Sequence, residues 1–194
     1  MKIFLASALL LISGLACAQN GVGPQGAPKK NSCPSCLAKS FVGQLAPDFE
    51  LPTLDGRKLR LSDLRGEAVL LNLWCRCGAN ETGASKAEIP TLVELQNEYG
   101  PQGLQVIGVS LDDYASTEEV SDYAREMNVN YPIVIGNTSS FENRYRGVIF
   151  LPMTFFLDRE GKVIAREIGV QSRSVYVEHI RRSLDQDPAA QSRR

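Results

Sequence analysis

Histidine is almost absent from this chain of 194 residues, which contains one, His179, near the C-terminus. A Ser-His-Asp hydrolase site and a histidine metal cluster are therefore not available, because both need histidine beside other reactive groups. We expect His179 to lie on the surface of a helix. Long apolar runs are also missing after residue 15, and none reaches the roughly 18 residues that a membrane-spanning helix requires.

Charge of one sign is not concentrated anywhere in the chain. The 21 Lys and Arg residues are scattered and the formal net charge is −1, so nothing favours a nucleic acid or an acidic polymer as partner. The apolar fraction of 43% and the charged fraction of 22% are ordinary for a globular protein. The length predicts one domain with an extension.

The N-terminus has the pattern of a secretory signal. Met1-Lys2 supplies a positive charge, an apolar run follows from Ile3 to Leu15, and Ala16-Cys17-Ala18 offers a cleavage site of small residues. We therefore expect export into an oxidising compartment, a bacterial periplasm. The alternative is a lipid anchor at Cys17, although Gly14 stands where a lipoprotein signal normally has leucine.

Export changes the interpretation of the cysteines. Without Cys17 the chain keeps four of them in two close pairs, Cys33 with Cys36 and Cys75 with Cys77. An even number of cysteines in an exported chain predicts disulfide bonds, and four cysteines allow three connectivities.

The chain divides into four predicted segments. They are a signal peptide at 1–18, a flexible extension at 19–42 that carries Cys33-Pro34-Ser35-Cys36, a folded domain at 43–184 and a loose tail at 185–194.

Strand and helix patterns alternate along the predicted domain. Short strands are expected at 49–51, 58–61, 68–74, 104–111, 131–135, 153–157 and 162–168. Helices are expected at 84–99, 116–128, 141–145 and 174–184, with a single helical turn capped by Ser62. This order predicts an α/β fold whose sheet has parallel and antiparallel strands.

Five sequence segments, in this order, carry a family resemblance. They are Ala46-Pro47-Asp48-Phe49, Val69 to Trp74, Glu88-Ile89-Pro90, Val106 to Asp112, and Leu151-Pro152-Met153-Thr154. Over about residues 43–184 the chain resembles the thioredoxin-fold proteins of the TlpA/ResA and redoxin (AhpC/TSA-like) group. The resemblance implies a thioredoxin-like fold, a central mixed sheet flanked by helices, and thiol-disulfide chemistry without a cofactor.

The cysteine positions depart from that family's pattern. The family carries a C-x-x-C motif at the start of its helix, and counting back from Glu88 places those two positions on Thr82 and Ser85. Counting forward from Trp74 places the first of these two positions on Gly78 instead. The two counts differ by four residues, which indicates that the loop between the strand and the helix is four residues longer than usual in the family. Thr82 and Ser85 are candidates for hydroxyl donors at the helix start, or else for an ordinary cap or first-turn residue.

Cys75 and Cys77 are the candidate catalytic pair. They follow an apolar strand and precede a helix, where backbone N–H groups and the helix dipole stabilise a thiolate. We expect Cys77 to attack, because it is nearer the helix, and Cys75 to resolve the mixed disulfide. The hypothesis requires both sulfurs to reach solvent. The alternatives are pairing with other cysteines, and burial of Cys75 as simple packing.

Cys33 and Cys36 lie before the predicted domain. The sequence leaves three roles open for this pair. They are a relay that passes electrons to Cys75 and Cys77, a structural disulfide, or half of a four-cysteine zinc site. The oxidising compartment disfavours the zinc site, so no metal is predicted.

Three further residues are candidates for the binding of substrate. By resemblance, Leu151-Pro152 is a cis-proline peptide whose neighbouring backbone pairs with a bound extended chain. Trp74 is expected mainly to pack at the strand end, with substrate contact as its second role.

The sequence therefore predicts an exported thiol-disulfide oxidoreductase that acts on exported protein thiols, disulfides or small thiols. The alternatives are a thiol peroxidase that forms a sulfenic acid on Cys77, and a thioredoxin-like binding module without catalysis.

Overall fold

The computed structural model describes residues 42–76, 83–145 and 150–185, leaving out the side chain of Ala84. These residues belong to one compact unit. The predicted signal peptide, nearly all of the predicted extension and all but the first residue of the predicted tail lie outside the described residues.

The strands form a two-stranded hairpin and a five-stranded mixed sheet. In chain order they are β1 (Glu50–Pro52), β2 (Lys58–Arg60), β3 (Ala68–Trp74), β4 (Leu104–Ser110), β5 (Ile133–Ile135), β6 (Met153–Leu157) and β7 (Val163–Ile168). The sheet order is β5-β4-β3-β6-β7, with β3, β4 and β5 parallel and with β6 antiparallel to both β3 and β7. The predicted mixed sheet is confirmed.

Helices cover both faces of this sheet. They are α1 (Ala84–Tyr99), α2 (Thr117–Glu126), α3 (Thr138–Arg144) and α4 (Arg173–Asp185). Apolar residues of α1, α2 and α4 pack on one face, and Phe141 of α3 packs on the other beside Phe49 and Leu61. All seven residues of β3 are buried, as expected for an apolar central strand that is covered on both sides.

The predicted cap at Ser62 is wrong. The short 3-10 helix spans Leu61–Leu64 and its N-cap is Arg60. Ser62 instead lies inside the turn, where its backbone N–H and its hydroxyl both donate to the carboxylate of Asp48, over 2.9 and 2.8 Å. The Asp48 carboxylate thus satisfies the Ser62 N–H, one of the first-turn donors that have no partner within a helix.

The predicted surface position of His179 is also wrong. Only 12% of its side chain is exposed, its Nε2 lies 2.9 Å from Oε1 of Glu167, and its ring centroid lies 4.8 Å from that of Phe156. The face of α4 that carries His179 packs on β6 and β7, which the sequence pattern alone did not indicate.

The start of α2 offers a stability prediction. Ser116 caps this helix in a capping box, because its hydroxyl accepts from the Glu119 N–H while the Glu119 carboxylate accepts from the Ser116 N–H. Ser116→Ala should lower the free energy of unfolding by about 1 kcal/mol. Urea unfolding measures the loss, and Thr117→Ala, at the exposed neighbouring position, serves as the control. Equal stability of the two variants would contradict the assignment.

Candidate active site

One edge of the sheet collects the predicted site residues. The last β3–β6 pair is Leu73 with Met153, and the last β3–β4 pair is Trp74 with Ser110. Cys75 follows β3 directly, and Leu151-Pro152 directly precedes β6. Because β3 and β6 are antiparallel, the two segments leave the sheet at the same edge.

Cys75 is buried and oxidised. It is 6% exposed and takes part in a disulfide bond. Every other cysteine of the chain, including Cys33, Cys36 and Cys77, lies outside the described residues, as does Thr82. The expectation that the Cys75 sulfur reaches solvent is wrong for this state. Its position at the end of a fully covered strand is the physical reason.

The backbone on both sides of Cys75 is held by the segment after β4. The Leu111 N–H donates to the Trp74 carbonyl over 2.8 Å, which extends the parallel ladder by one bond. The Arg76 N–H donates to Oδ2 of Asp112 over 3.2 Å. These two bonds therefore fix the backbone on both sides of Cys75 against the end of β4 and the residues after it.

Trp74, the last residue of β3, packs against α2. It is 1% exposed, and its ring centroid lies 5.6 Å from that of Tyr123 on α2. The expected packing role fits this environment. Direct contact with a substrate, the second role, does not fit a side chain with so little accessible surface.

The Leu151–Pro152 peptide bond is cis, as the resemblance implied. Pro152 is buried and its carbonyl accepts from the Gly169 N–H over 2.8 Å, which joins this loop to the end of β7. Phe150, just before it, is 59% exposed. A role of this loop in holding a bound chain remains a prediction.

The start of α1 differs in part from the expectation. Its N-cap is Gly83, which has no side chain for capping, and Ser85 is a buried residue of the first turn. Ser85 is therefore not the cap, and its placement agrees with the alternative of a first-turn residue.

A buried carboxyl group is the feature that sequence reasoning missed. Glu88 on α1 is 1% exposed. Its carboxylate accepts from Asn72 Nδ2 over 2.7 Å, from the Thr154 hydroxyl over 3.2 Å and from the Tyr176 hydroxyl. Asn72 also donates to Thr154 over 3.0 Å. The network thus joins α1, α4 and two neighbouring strands.

Burial raises the pKa of Glu88 above its usual value, and the three hydrogen bonds oppose this shift without cancelling it. The protonated form is therefore favoured to higher pH than in an exposed glutamate. The sequence did contain a signal for this network. Asn72 is a polar residue within an apolar strand, and Glu88 is a charged residue just before Ile89-Pro90 on the helix that follows this strand. Two polar residues at buried positions are expected to pair with each other or with a third group.

Other site types find no support in the part of the chain that the structure describes. No group of three or more His, Cys, Asp or Glu side chains there is placed to hold a metal ion. Within the same ranges, no helix has both the length and the apolar character needed to cross a bilayer.

A mixed sheet of this order, a disulfide-bonded cysteine after its central strand and a cis-proline opposite define a thiol redox protein of thioredoxin fold. The chain belongs to the AhpC/TSA family, whose model matches residues 42–166.

Similar proteins refine this assignment. The chain is 34% identical over 142 residues to the thiol-disulfide oxidoreductase ResA of Geobacillus thermodenitrificans, covering 72% of this chain and 76% of the relative. It is 29% identical over 147 residues to ResA of Bacillus thuringiensis subsp. konkukian, covering 74% and 79%. The predicted class, a ResA-like thiol-disulfide oxidoreductase, is confirmed.

Solved structures agree with the fold. A thiol:disulfide interchange protein DsbE structure from Chlorobium tepidum superimposes with a TM-score of 0.66 at 28% identity, covering 74% of this chain and 97% of that one. The secreted thiol-disulfide isomerase of Corynebacterium glutamicum has a TM-score of 0.65 at 23% identity, covering 74% and 86%. The second likeness concerns the fold alone.

Proposed function

We propose that this protein is an exported thiol-disulfide oxidoreductase whose catalytic pair is Cys75 and Cys77. The observation that carries the proposal is the oxidised state of Cys75 at the sheet edge shared with the cis Leu151–Pro152 peptide. The ResA relatives and the fold support the reaction class.

The reaction has two exchange steps. The Cys77 thiolate attacks a sulfur of the partner disulfide, forms a mixed disulfide and releases one partner thiolate. The Cys75 thiolate then attacks the Cys77 sulfur and releases the second partner thiolate, leaving a Cys75–Cys77 disulfide. Two electrons pass from the pair to the partner, and the same steps in reverse oxidise a dithiol.

Burial of Cys75 fits the resolving role. A resolving thiol attacks a sulfur that is already bound to the same protein, so it does not need to meet an external partner. The attacking thiol must be accessible, and that role is assigned to Cys77. A C-x-C disulfide also requires a turn, because two residues of extended chain separate the Cα atoms by about 7 Å.

Export and partner class belong to the proposal as well. The signal pattern at residues 1–18 supports transfer to a periplasm, with a lipid anchor at Cys17 as the alternative. The partners are exported protein thiols and disulfides, or small thiols, that share this compartment. Cys33 and Cys36 are proposed as a relay or as a structural disulfide.

Insulin-disulfide reduction tests the activity. The purified mature protein, with dithiothreitol as electron donor, should precipitate insulin much faster than dithiothreitol alone. Protein alkylated with iodoacetamide after reduction should show no acceleration and is the control. Disulfide mapping of protein from its native compartment should show Cys75 bonded to Cys77. A rate equal to that of the alkylated control would overturn the proposal.

A second candidate is a thioredoxin-like binding module with a structural disulfide. The burial of Cys75 favours it, because a buried sulfur is poorly accessible to an attacking thiol. Incubation with mild reductant distinguishes the binding module from the oxidoreductase. The module predicts cysteines that stay unmodified by a thiol-trapping reagent, whereas the oxidoreductase predicts rapid trapping of both thiols.

A further inference from the structure

The peptide group that follows Cys75 is bound by a carboxylate. The Arg76 N–H donates to Oδ2 of Asp112, and Asp112 is half-buried. We propose that Asp112 is a positioning residue that lowers the reduction potential of the Cys75 disulfide through its negative charge and its bond to this N–H. This inference rests on the proposed function, because it names what tunes that site.

The geometry places the charge close to sulfur. Cys75 and Arg76 are adjacent, so the Arg76 nitrogen lies within about 5 Å of the Cys75 sulfur for any rotamer. Adding the 3.2 Å hydrogen bond puts the Asp112 oxygen within about 8 Å of that sulfur. The charge of half-buried Asp112 at this distance from buried Cys75 is only partly screened by salt.

Two effects then act in the same direction. The negative charge disfavours a thiolate at Cys75, because like charges repel. The Arg76 N–H, already bonded to Asp112, is also not free to donate to a thiolate sulfur. Both effects destabilise the reduced, ionised form relative to the neutral disulfide. A less stable reduced form makes a disulfide less oxidising.

The positive charge of Arg76 does not directly pair with this carboxylate. Its guanidinium carbon lies 5.8 Å from the ring centroid of Tyr123 on α2. Its charge also helps to lower the pKa of Glu119 on the same helix, where the Ser116 N–H is the larger cause. The Arg76 side chain therefore points toward α2 while its peptide group faces Asp112.

A redox titration of three variants tests the role. The full mature protein is equilibrated with mixtures of reduced and oxidised dithiothreitol and trapped with an alkylating reagent. Mass spectrometry then quantifies the Cys75 peptide. Asp112→Asn keeps an oxygen acceptor and removes the charge, and we expect the equilibrium constant to shift about tenfold toward the reduced form, or about 30 mV. Asp112→Ala should shift it at least as far.

Asp113→Asn is the matched control. This neighbouring carboxylate binds the side chain of Asn137 and the Thr138 N–H at the start of α3, not the Arg76 N–H. The redox equilibrium constant of Asp113→Asn with dithiothreitol should stay within twofold of the wild-type value. An Asp112→Asn constant within twofold of wild type would overturn the inference, since a purely structural clamp survives in that variant. The titration needs no partner protein. Failure of the insulin assay would therefore refute the proposed function, while the redox equilibrium constants of the Asp112 variants could still be interpreted.

Discussion

Cys77→Ser should reduce the rate of insulin-disulfide reduction by at least about a hundredfold, to that of dithiothreitol alone. Serine keeps the size of the side chain, but its hydroxyl does not form a nucleophilic anion near neutral pH or a bond to a second sulfur. The assay is insulin turbidity at fixed dithiothreitol, with folding checked by circular dichroism. Retention of wild-type rate by a folded variant would remove Cys77 from the mechanism.

Cys75→Ser should separate the two roles of the pair. Without a resolving thiol, the Cys77 thiolate still attacks a partner disulfide, and the mixed disulfide accumulates because the second step is absent. Non-reducing electrophoresis with a model disulfide protein should reveal this adduct for Cys75→Ser and not for the double variant. An adduct seen instead with Cys77→Ser would exchange the two assignments.

The extension supplies an internal comparison for these variants. A Cys33→Ser, Cys36→Ser double variant should keep the insulin activity of wild type if these residues form a structural disulfide or a relay. In both cases dithiothreitol feeds the catalytic pair directly. A loss as large as that of Cys77→Ser would move the chemistry to the extension.

Glu88→Gln should make the folded protein more stable than wild type at pH 8, with the difference vanishing near pH 4. Because burial raises the pKa of Glu88, the folded state holds this proton more tightly than the unfolded state. The stability from that proton is complete below the unfolded pKa of about 4.5 and is lost as pH rises through the folded pKa. The difference in the free energy of unfolding between Glu88→Gln and wild type grows by about 1.4 kcal/mol for each pH unit between the two pKa values.

The measurement is urea unfolding of both proteins at several pH values. Glutamine is neutral throughout and can still accept from Tyr176 and Thr154 after a reorientation of Asn72. Glu94→Gln, an exposed position on the same helix, is the control and should show no such divergence. A constant difference between Glu88→Gln and wild type from pH 4 to pH 8 would contradict the raised pKa.

Glu88→Ala should be destabilising instead. It removes the common acceptor and leaves buried donors of Asn72 and Tyr176 without their carboxylate partner. We expect a loss of about 3 kcal/mol in the free energy of unfolding, from unsatisfied donors and a small cavity. A variant as stable as Glu88→Gln would show that water or a rearrangement replaces the carboxylate.

Much of the fold followed from local patterns in the sequence. The continuous apolar run at 68–74 predicted a strand covered on both faces, and β3 is that strand. The helix predicted at 116–128 is α2, and the capping box of Ser116 and Glu119 at its start depends only on residues three positions apart. Ser62 was also predicted from its local position to be a cap, but it donates to Asp48, fourteen residues earlier in the chain, which no local pattern displays.

The candidate site was predictable only in part. The cis Leu151–Pro152 peptide was implied by resemblance and is present. Glu88 was recognised as part of a motif, but its burial against Asn72, Thr154 and Tyr176 depends on residues up to 88 positions apart. In the sequence Asp112 is likewise only a residue at a strand end, and its carboxylate meets the Arg76 N–H because β4 lies beside β3.

The amino-acid sequence by itself determined the class of this protein, its strand and helix order and the position of Cys75 at the end of the central strand. The strand and helix order depends on apolar periodicity between neighbouring residues, and the class was implied by the family resemblance of five short segments. Tertiary structure alone decided that Cys75 is buried, that Glu88 is buried among three hydrogen-bond donors and that Asp112 faces the peptide group beside the sulfur. Those properties arise where distant segments meet, because burial and charge depend on what packs around a residue.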